Sequence, residues 1–181
     1  MLGALRQLFT PKPPIEAEET YIALLRASRN PFFFTALKVP DTLDGRFELI
    51  ALHMFLVQHR LLMQGGLAPF AQFLSEAFFN DMDNSLREMG VADTGVSKRI
   101  KKMGKAYHGR LQAYGTSIGN ATALRAALAR NVYGTVVEGD VDSLNRLGTY
   151  VEMMVKNLAE VPTETITSAR YAWPDVATLG L

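Results

Sequence analysis

The stretch that decides the fold covers residues 71–118 and reads AQFLSEAFFNDMDNSLREMGVADTGVSKRIKKMGKAYHGRLQAYGTSI. Apolar residues recur every three or four positions on both sides of a short loop flanked by Gly90 and Gly95, a spacing typical of amphipathic helices. The first helix carries an acidic, doubly aromatic segment at residues 78–83, and the second opens with basic residues at 98–105. The stretch therefore predicts two helices of opposite charge that meet at a short turn.

Length and composition indicate one ordinary globular domain, since the chain has 181 residues and 48% of them are hydrophobic. A net charge of +1 does not by itself point to nucleic acid. The lack of cysteine excludes disulfides, thiolate zinc sites and cysteine nucleophiles. We expect a flexible leader in residues 1–14, a helical domain in residues 15–161 and an extended tail in residues 162–181, with Trp173 held against the body.

Helices are predicted in this stretch and on both sides of it. Their approximate bounds are 16–28, 41–64, 67–89, 97–117, 120–133 and 140–160. The helix from Asp41 to about Gln64 is apolar nearly all round, as expected for the middle of a bundle. No segment shows the alternation of a strand. The fold class is therefore predicted to be all-α, a single-domain bundle of about six or seven helices.

The link at Gly65 and Gly66 is so short that the helices on either side must be antiparallel neighbours. Folding back at this link brings Arg46 opposite residues 81–85. Asp81 lies near the edge of the apolar stripe, where an unpaired carboxylate would be costly. We therefore predict a structural ion pair between Arg46 and Asp81 or Asp83.

Catalytic and metal-binding patterns are missing from the sequence. His53, His59 and His108 do not have the spacing of a chelating pair, and there is no HExxH or Glu-x-x-His motif. Asp81 and Asp83 point in nearly opposite directions on a helix and cannot form a carboxylate pair. There is no Gly-x-Ser-x-Gly motif and no glycine-rich phosphate loop. We expect no enzyme, no metal site and no cofactor, with a single haem ligand at His53 left open as an alternative.

Charge is distributed unevenly along the chain. Between Asp93 and Glu138 there is no acidic residue, so near-neutral totals hide a cationic span. The bases of this span are Lys98, Arg99, Lys101, Lys102, Lys105, Arg110, Arg125 and Arg130. Two interpretations stay open: a solvated face balanced by neighbouring acids, or a surface for ribosomal RNA or an anionic membrane. Few aromatic residues interleave with the bases, so base stacking is not indicated.

Several of these segments resemble one known family. They are DT at 41–42, LHMFL at 52–56, FFNDMD at 78–83, LREMGV at 86–91, the basic run at 98–103, YHGRL at 107–111, AY at 113–114 and LARNVYG at 128–134. Together they cover most of residues 20–160. On these residues the chain is similar to bacterial members of the ubiquinol-cytochrome c chaperone family, which assists assembly of the cytochrome bc1 complex.

The resemblance implies a non-enzymatic assembly chaperone that binds newly made cytochrome b. The mitochondrial relatives act near the ribosomal exit tunnel together with a small partner protein. A cytoplasmic location, peripheral at the inner membrane, would suit this role. The residues expected to contact the client are Phe78, Phe79, Met82 and Tyr107. The residues expected to bind an anionic ribosome or membrane surface are Lys98, Lys101, Lys102 and Lys105.

Two alternatives remain beside the chaperone hypothesis. The first is a haem-binding helical protein with His53 as the ligand. The second is a ribosome- or RNA-binding adaptor that uses the basic residues of the 98–130 span, for which binding would be salt-sensitive.

Overall fold

The computed structural model describes residues 14–134 and 140–181, and within them every regular element is helical. The longer helices are α1 (Ile15–Ser28), α3 (Leu43–Met63), α4 (Ala68–Glu88), α5 (Asp93–Gly115), α6 (Ala121–Asn131) and α7 (Val141–Glu160). Two short helices, α2 (Pro31–Thr35) and α8 (Thr163–Thr167), and a 3-10 turn (Val176–Thr178) complete the described part. The predicted all-α, single-domain fold is confirmed. Residues 1–13 of the predicted leader lie outside the described residues.

Side-chain caps fix the start of several helices. The side chains of Thr42, Asn120 and Asp140 each accept a hydrogen bond from a backbone N–H in the first turn of the helix that follows. The helix predicted from Asp41 is capped by Thr42, one residue later, and the Asp41 carboxylate pairs with Arg46.

The loop before α5 is shorter than predicted. Gly90 ends α4 with a φ of 78°, a left-handed conformation that glycine adopts without steric cost. Gly95, expected in the loop, lies inside the first turn of α5, which already begins at Asp93. A glycine near a helix end is tolerated when the rest of the helix packs well, and α5 packs against both α3 and α4.

The central helix of the bundle is α3, which contacts α1, α4, α5 and α7. Every residue from 48 to 58 is buried. Because α3 has neighbours on all sides, apolar residues are favoured around its whole circumference, as the sequence predicted. Each large apolar side chain buried in this way contributes roughly 1.5–3 kcal/mol relative to exposure, so α3 supplies much of the driving force for folding.

Buried polar groups fasten α5 to the helices it packs on. Arg110 of α5 binds the Glu48 carboxylate of α3 through Nε and one terminal nitrogen, with a shortest distance of 2.6 Å. The Tyr107 hydroxyl donates to Gln58 Oε1 at 2.8 Å, and Gln58 Nε2 in turn donates to the Ala71 carbonyl of α4 at 2.8 Å. Burial raises the pKa of Tyr107 to about 12, so its hydroxyl stays protonated and remains a donor.

His53 lies at the centre of a second buried cluster. Its Nδ1 is 2.8 Å from the Leu49 carbonyl oxygen, so this nitrogen carries the proton and donates. Nε2 therefore accepts from the Tyr150 hydroxyl of α7, also at 2.8 Å. The rings of Phe33 and Trp173 pack on the imidazole at centroid distances of 5.4 and 5.2 Å. Burial lowers the pKa of His53 to about 4, which keeps it neutral.

The C-terminal tail is more structured than the predicted extended segment. Pro162, with a ψ of 134°, turns the chain out of α7 and precedes α8. The Thr20 hydroxyl of α1 donates to the Ile166 carbonyl at 3.0 Å, and the Tyr171 hydroxyl donates to Asn157 at 2.6 Å. Trp173 packs against the body, as predicted, with its ring on that of His53.

Acid sensitivity should follow from His53. Above about pH 6.5 the histidine is neutral in both the folded and the unfolded chain; below it, only the unfolded chain gains the proton. Stability should fall as pH drops from about 6.5 to about 4, by roughly 3 kcal/mol from this group. Urea unfolding at a series of pH values gives the measurement. In His53→Gln the free energy of unfolding should depend less steeply on pH than in the wild type. The control, His108→Gln, removes an exposed histidine and should keep the wild-type dependence; an unchanged slope in His53→Gln would contradict the assignment.

The Glu48–Arg110 pair should be a stability determinant. The Glu48 side chain is 8% exposed, and burial raises its pKa even with Arg110 beside it. Arg110→Met leaves this carboxylate without a partner and should lower the unfolding free energy by about 2–3 kcal/mol. The double variant Glu48→Met/Arg110→Met should recover most of the loss, since no unpaired charge remains. Lys105→Met, on the exposed side of α5, is the control and should change stability by less than about 0.5 kcal/mol.

Candidate functional site

A groove of about 480 Å³, open to solvent, lies on the outer side of α4 between α1 and α5. Its floor consists of α4 side chains, and single residues from α1 and α5 form the two walls. The lining residues are Phe79, Asn80, Asp83 and Asn84 from α4, Glu18 from α1 and Ile100 from α5. The groove thus combines two carboxylates and two amides with two apolar side chains, a mixture suited to a peptide segment rather than to a small apolar ligand.

The four residues predicted to contact a client are divided between core and surface. Phe78 is 0% exposed and Tyr107 is 1% exposed, and their ring centroids lie 5.2 Å apart in the core. Phe79 and Met82 are half-buried, and Phe79 lines the groove. The prediction that Phe78 and Tyr107 lie at the surface site is therefore wrong. Consecutive side chains point about 100° apart on a helix, so Phe78 faces the core when Phe79 faces outward.

The predicted ion pair between Arg46 and Asp81 or Asp83 is also wrong. Arg46 binds Asp41 at 2.7 Å, and both side chains are exposed. Asp81 does need a partner, but that partner is the Tyr21 hydroxyl of α1, which donates to its carboxylate at 2.8 Å. Asp83 pairs with the arginine four residues further along α4, at 2.5 Å. The packing of α1 against α4 supplies the donor that the prediction assigned to α3.

Five exposed bases lie in the first half of α5 and are here called the basic face. Its members are Lys98, Arg99, Lys101, Lys102 and Lys105. Within the described part of the chain none of them makes an ion pair. Two other bases of the predicted span are engaged: Arg110 binds Glu48, and Arg125 binds Glu152 at 3.1 Å. The cationic span is therefore confined mainly to the first half of α5.

The groove and the basic face share one helix, since Ile100 lies within the run of bases. Gly104 packs under Phe79, and a Cβ there would lie 3.8 Å from the Phe79 ring. Four lining residues were not predicted from the sequence: Glu18, Asn80, Asn84 and Ile100. The 3.6-residue pattern identifies the inward face of each helix, whereas grooves between outward faces depend on which helices become neighbours.

The haem alternative is contradicted by the surroundings of His53. Both ring nitrogens are already hydrogen-bonded, to Leu49 and Tyr150, so neither is available to bind iron. The cavity beside Trp173 measures about 10 Å³, which is room for about one water molecule. His53 is a core residue that joins α3 to α7 and the tail.

Among the helices described, none combines the length and the apolar character needed to span a bilayer.

Comparison with known proteins identifies the family. A family model described as ubiquinol-cytochrome C chaperone matches residues 35–173. A solved structure described as the crystal structure of the Cbp3 homolog from Brucella abortus is 33% identical, with a TM-score of 0.80, and the match covers 98% of this chain and 99% of that one. No match was found among curated proteins. The chain belongs to the ubiquinol-cytochrome c chaperone family.

Proposed function

We propose that this protein is a non-enzymatic chaperone that binds newly made cytochrome b and assists assembly of the cytochrome bc1 complex. Family membership supports a chaperone of this assembly pathway. The single observation that carries the site is the open groove over α4, whose lining residue from α5, Ile100, lies between Arg99 and Lys101 in the sequence.

The groove supplies features that a chaperone for an apolar client needs. Phe79, which lines the groove, is half-buried, so it rests on the core while part of its surface stays accessible. Met82 is half-buried in the same way on α4, outside the groove lining. Aromatic and methionine side chains contribute large contact areas, and methionine adapts to irregular partners. The lining also offers amide and carboxylate groups that can bind the backbone and polar side chains of a client segment.

The basic face supplies long-range attraction. Four of these cations, the lysines, lie on one side of α5, and none of the five has an acidic partner among the described residues. Such a cluster attracts an anionic surface and speeds the encounter with it. Ribosomal RNA and the anionic cytoplasmic side of a membrane both carry such a surface. This fits a protein that works in the cytoplasm, peripherally at the inner membrane, where a membrane-protein client emerges.

Reversal of two charges on the basic face tests the proposal. We expect Lys101→Glu/Lys102→Glu to reduce co-purification of cytochrome b several-fold from the protein's own host in mild detergent, because attraction to the anionic surface is lost. Thermal unfolding should change little, since both side chains are exposed. Quantitative mass spectrometry of the eluate, together with the level of assembled complex III in the same cells, provides the measurement.

A matched control separates this effect from a change in net charge. Arg26→Glu/Lys156→Glu makes the same charge change at exposed positions on α1 and α7, and it should leave cytochrome b recovery near that of the wild type. Equal loss in both double variants would contradict a specific role for the basic face. Recovery of ribosomal proteins without cytochrome b would instead support the adaptor alternative.

A further inference from the structure

We propose that the groove over α4 takes a cationic, apolar-flanked segment of the client, and that Glu18 and Asp83 bind its lysine or arginine side chains. This inference rests on the proposed function and adds the chemistry of the bound segment. The new role that we infer is that of Glu18, as a binding residue for a cationic side chain of the client.

The charges that line the groove have one sign. Glu18 and Asp83 are the ionisable lining residues, and the remaining lining side chains are two amides, Phe79 and Ile100. Asp83 is already paired with Arg87, whereas Glu18 is exposed and makes no ion pair within the described residues. A lysine or arginine in the groove would meet a carboxylate on the α1 wall and a second one on the floor.

Exposed apolar residues flank Glu18 along α1, outside the groove lining. Ile15 is 71% exposed and Ile22 is 39% exposed, which is unusual for isoleucine on a helix that packs well elsewhere. Spacings of three and four residues place Ile15, Glu18 and Ile22 along one side of α1. Beside the groove, α1 therefore presents an apolar–acidic–apolar stripe, and the complement of this stripe is a basic residue with apolar neighbours on both sides.

The client class expected from the proposed function contains such segments. Loops of membrane proteins on the cytoplasmic side are enriched in lysine and arginine next to the apolar spanning helices. A segment at this boundary carries a cation and large apolar side chains within a few residues of each other. The groove could hold it while the spanning helix itself remains outside.

The basic face defines the direction of binding. It lies on the α5 side of the groove, opposite the α1 wall that carries Glu18. A cationic segment is repelled from α5 and attracted to α1, so its basic side chains should turn towards Glu18. An acidic segment would have the opposite preference, and this difference allows the two to be distinguished by experiment.

The test uses a synthetic fluorescent peptide with two lysines flanked by leucines, and a second peptide with glutamates in place of the lysines. Fluorescence anisotropy with the full chain should show at least tenfold tighter binding of the lysine peptide. Glu18→Lys should weaken that binding about tenfold. Glu19→Lys, an exposed residue of the same helix that does not line the groove, makes the same charge change and should weaken it less than threefold.

Three results would overturn the inference. Equal effects of Glu18→Lys and Glu19→Lys would show that only net charge matters. Tighter binding of the glutamate peptide would place the recognition site on the basic face. Binding of neither peptide would show that the groove does not select a cationic segment.

Co-purification of cytochrome b with Glu18→Lys separates this inference from the proposed function. If the wild type recovers cytochrome b and Glu18→Lys recovers it equally well, the inference fails and the proposed function stands. If the wild type recovers no cytochrome b at all, the proposed function fails. Loss of recovery in Glu18→Lys but not in Glu19→Lys would support both.

Discussion

The structure depends on the burial of α3 on every side, together with the partners that its polar residues require. Glu48, His53 and Gln58 are surrounded by apolar side chains, where an unsatisfied polar group costs about 1–3 kcal/mol and an unpaired charge more. Glu48 and Gln58 both bind residues of α5, whereas His53 is satisfied by α7. Gln58 also binds α4, and His53 also contacts the tail. The position of α3's neighbours is thereby set by hydrogen bonds as well as by packing.

This constraint determines what remains at the surface. Once Tyr107 is held by Gln58 and Phe78 is packed beside it, α4 and α5 have fixed inward faces and leave their outer faces to solvent. The outer face of α4 becomes the floor of the groove, and the outer face of α5 becomes the basic face. The groove and the basic face proposed to take part in client binding therefore follow from the hydrogen bonds and packing of the core.

The same packing divides the basic residues of α5 into one that stabilises the core and others that face solvent. Arg110 lies on the side of α5 that meets Glu48, so it contributes to stability, whereas Lys101 and Lys102 point to solvent. A cationic run in a sequence does not distinguish these roles, because the acid that neutralises Arg110 is 62 residues away along the chain. The Arg46 prediction was wrong for a related reason: the donor to Asp81 comes from Tyr21, which is 60 residues away.

The sequence by itself determined the all-α class, the approximate span of each long helix and the central place of α3, because the 3.6-residue period and the capping residues are local signals. It also carried the segments through which the chain resembles its family. Only the tertiary structure decided that Phe78 lies in the core and that Phe79 lines the groove. It also decided that both ring nitrogens of His53 are hydrogen-bonded. Likewise, it placed Glu18 in the groove lining with Ile100 and residues of α4. The reason is physical: a helix pattern specifies which face turns inward, while partners and grooves arise from contacts between residues far apart in the chain.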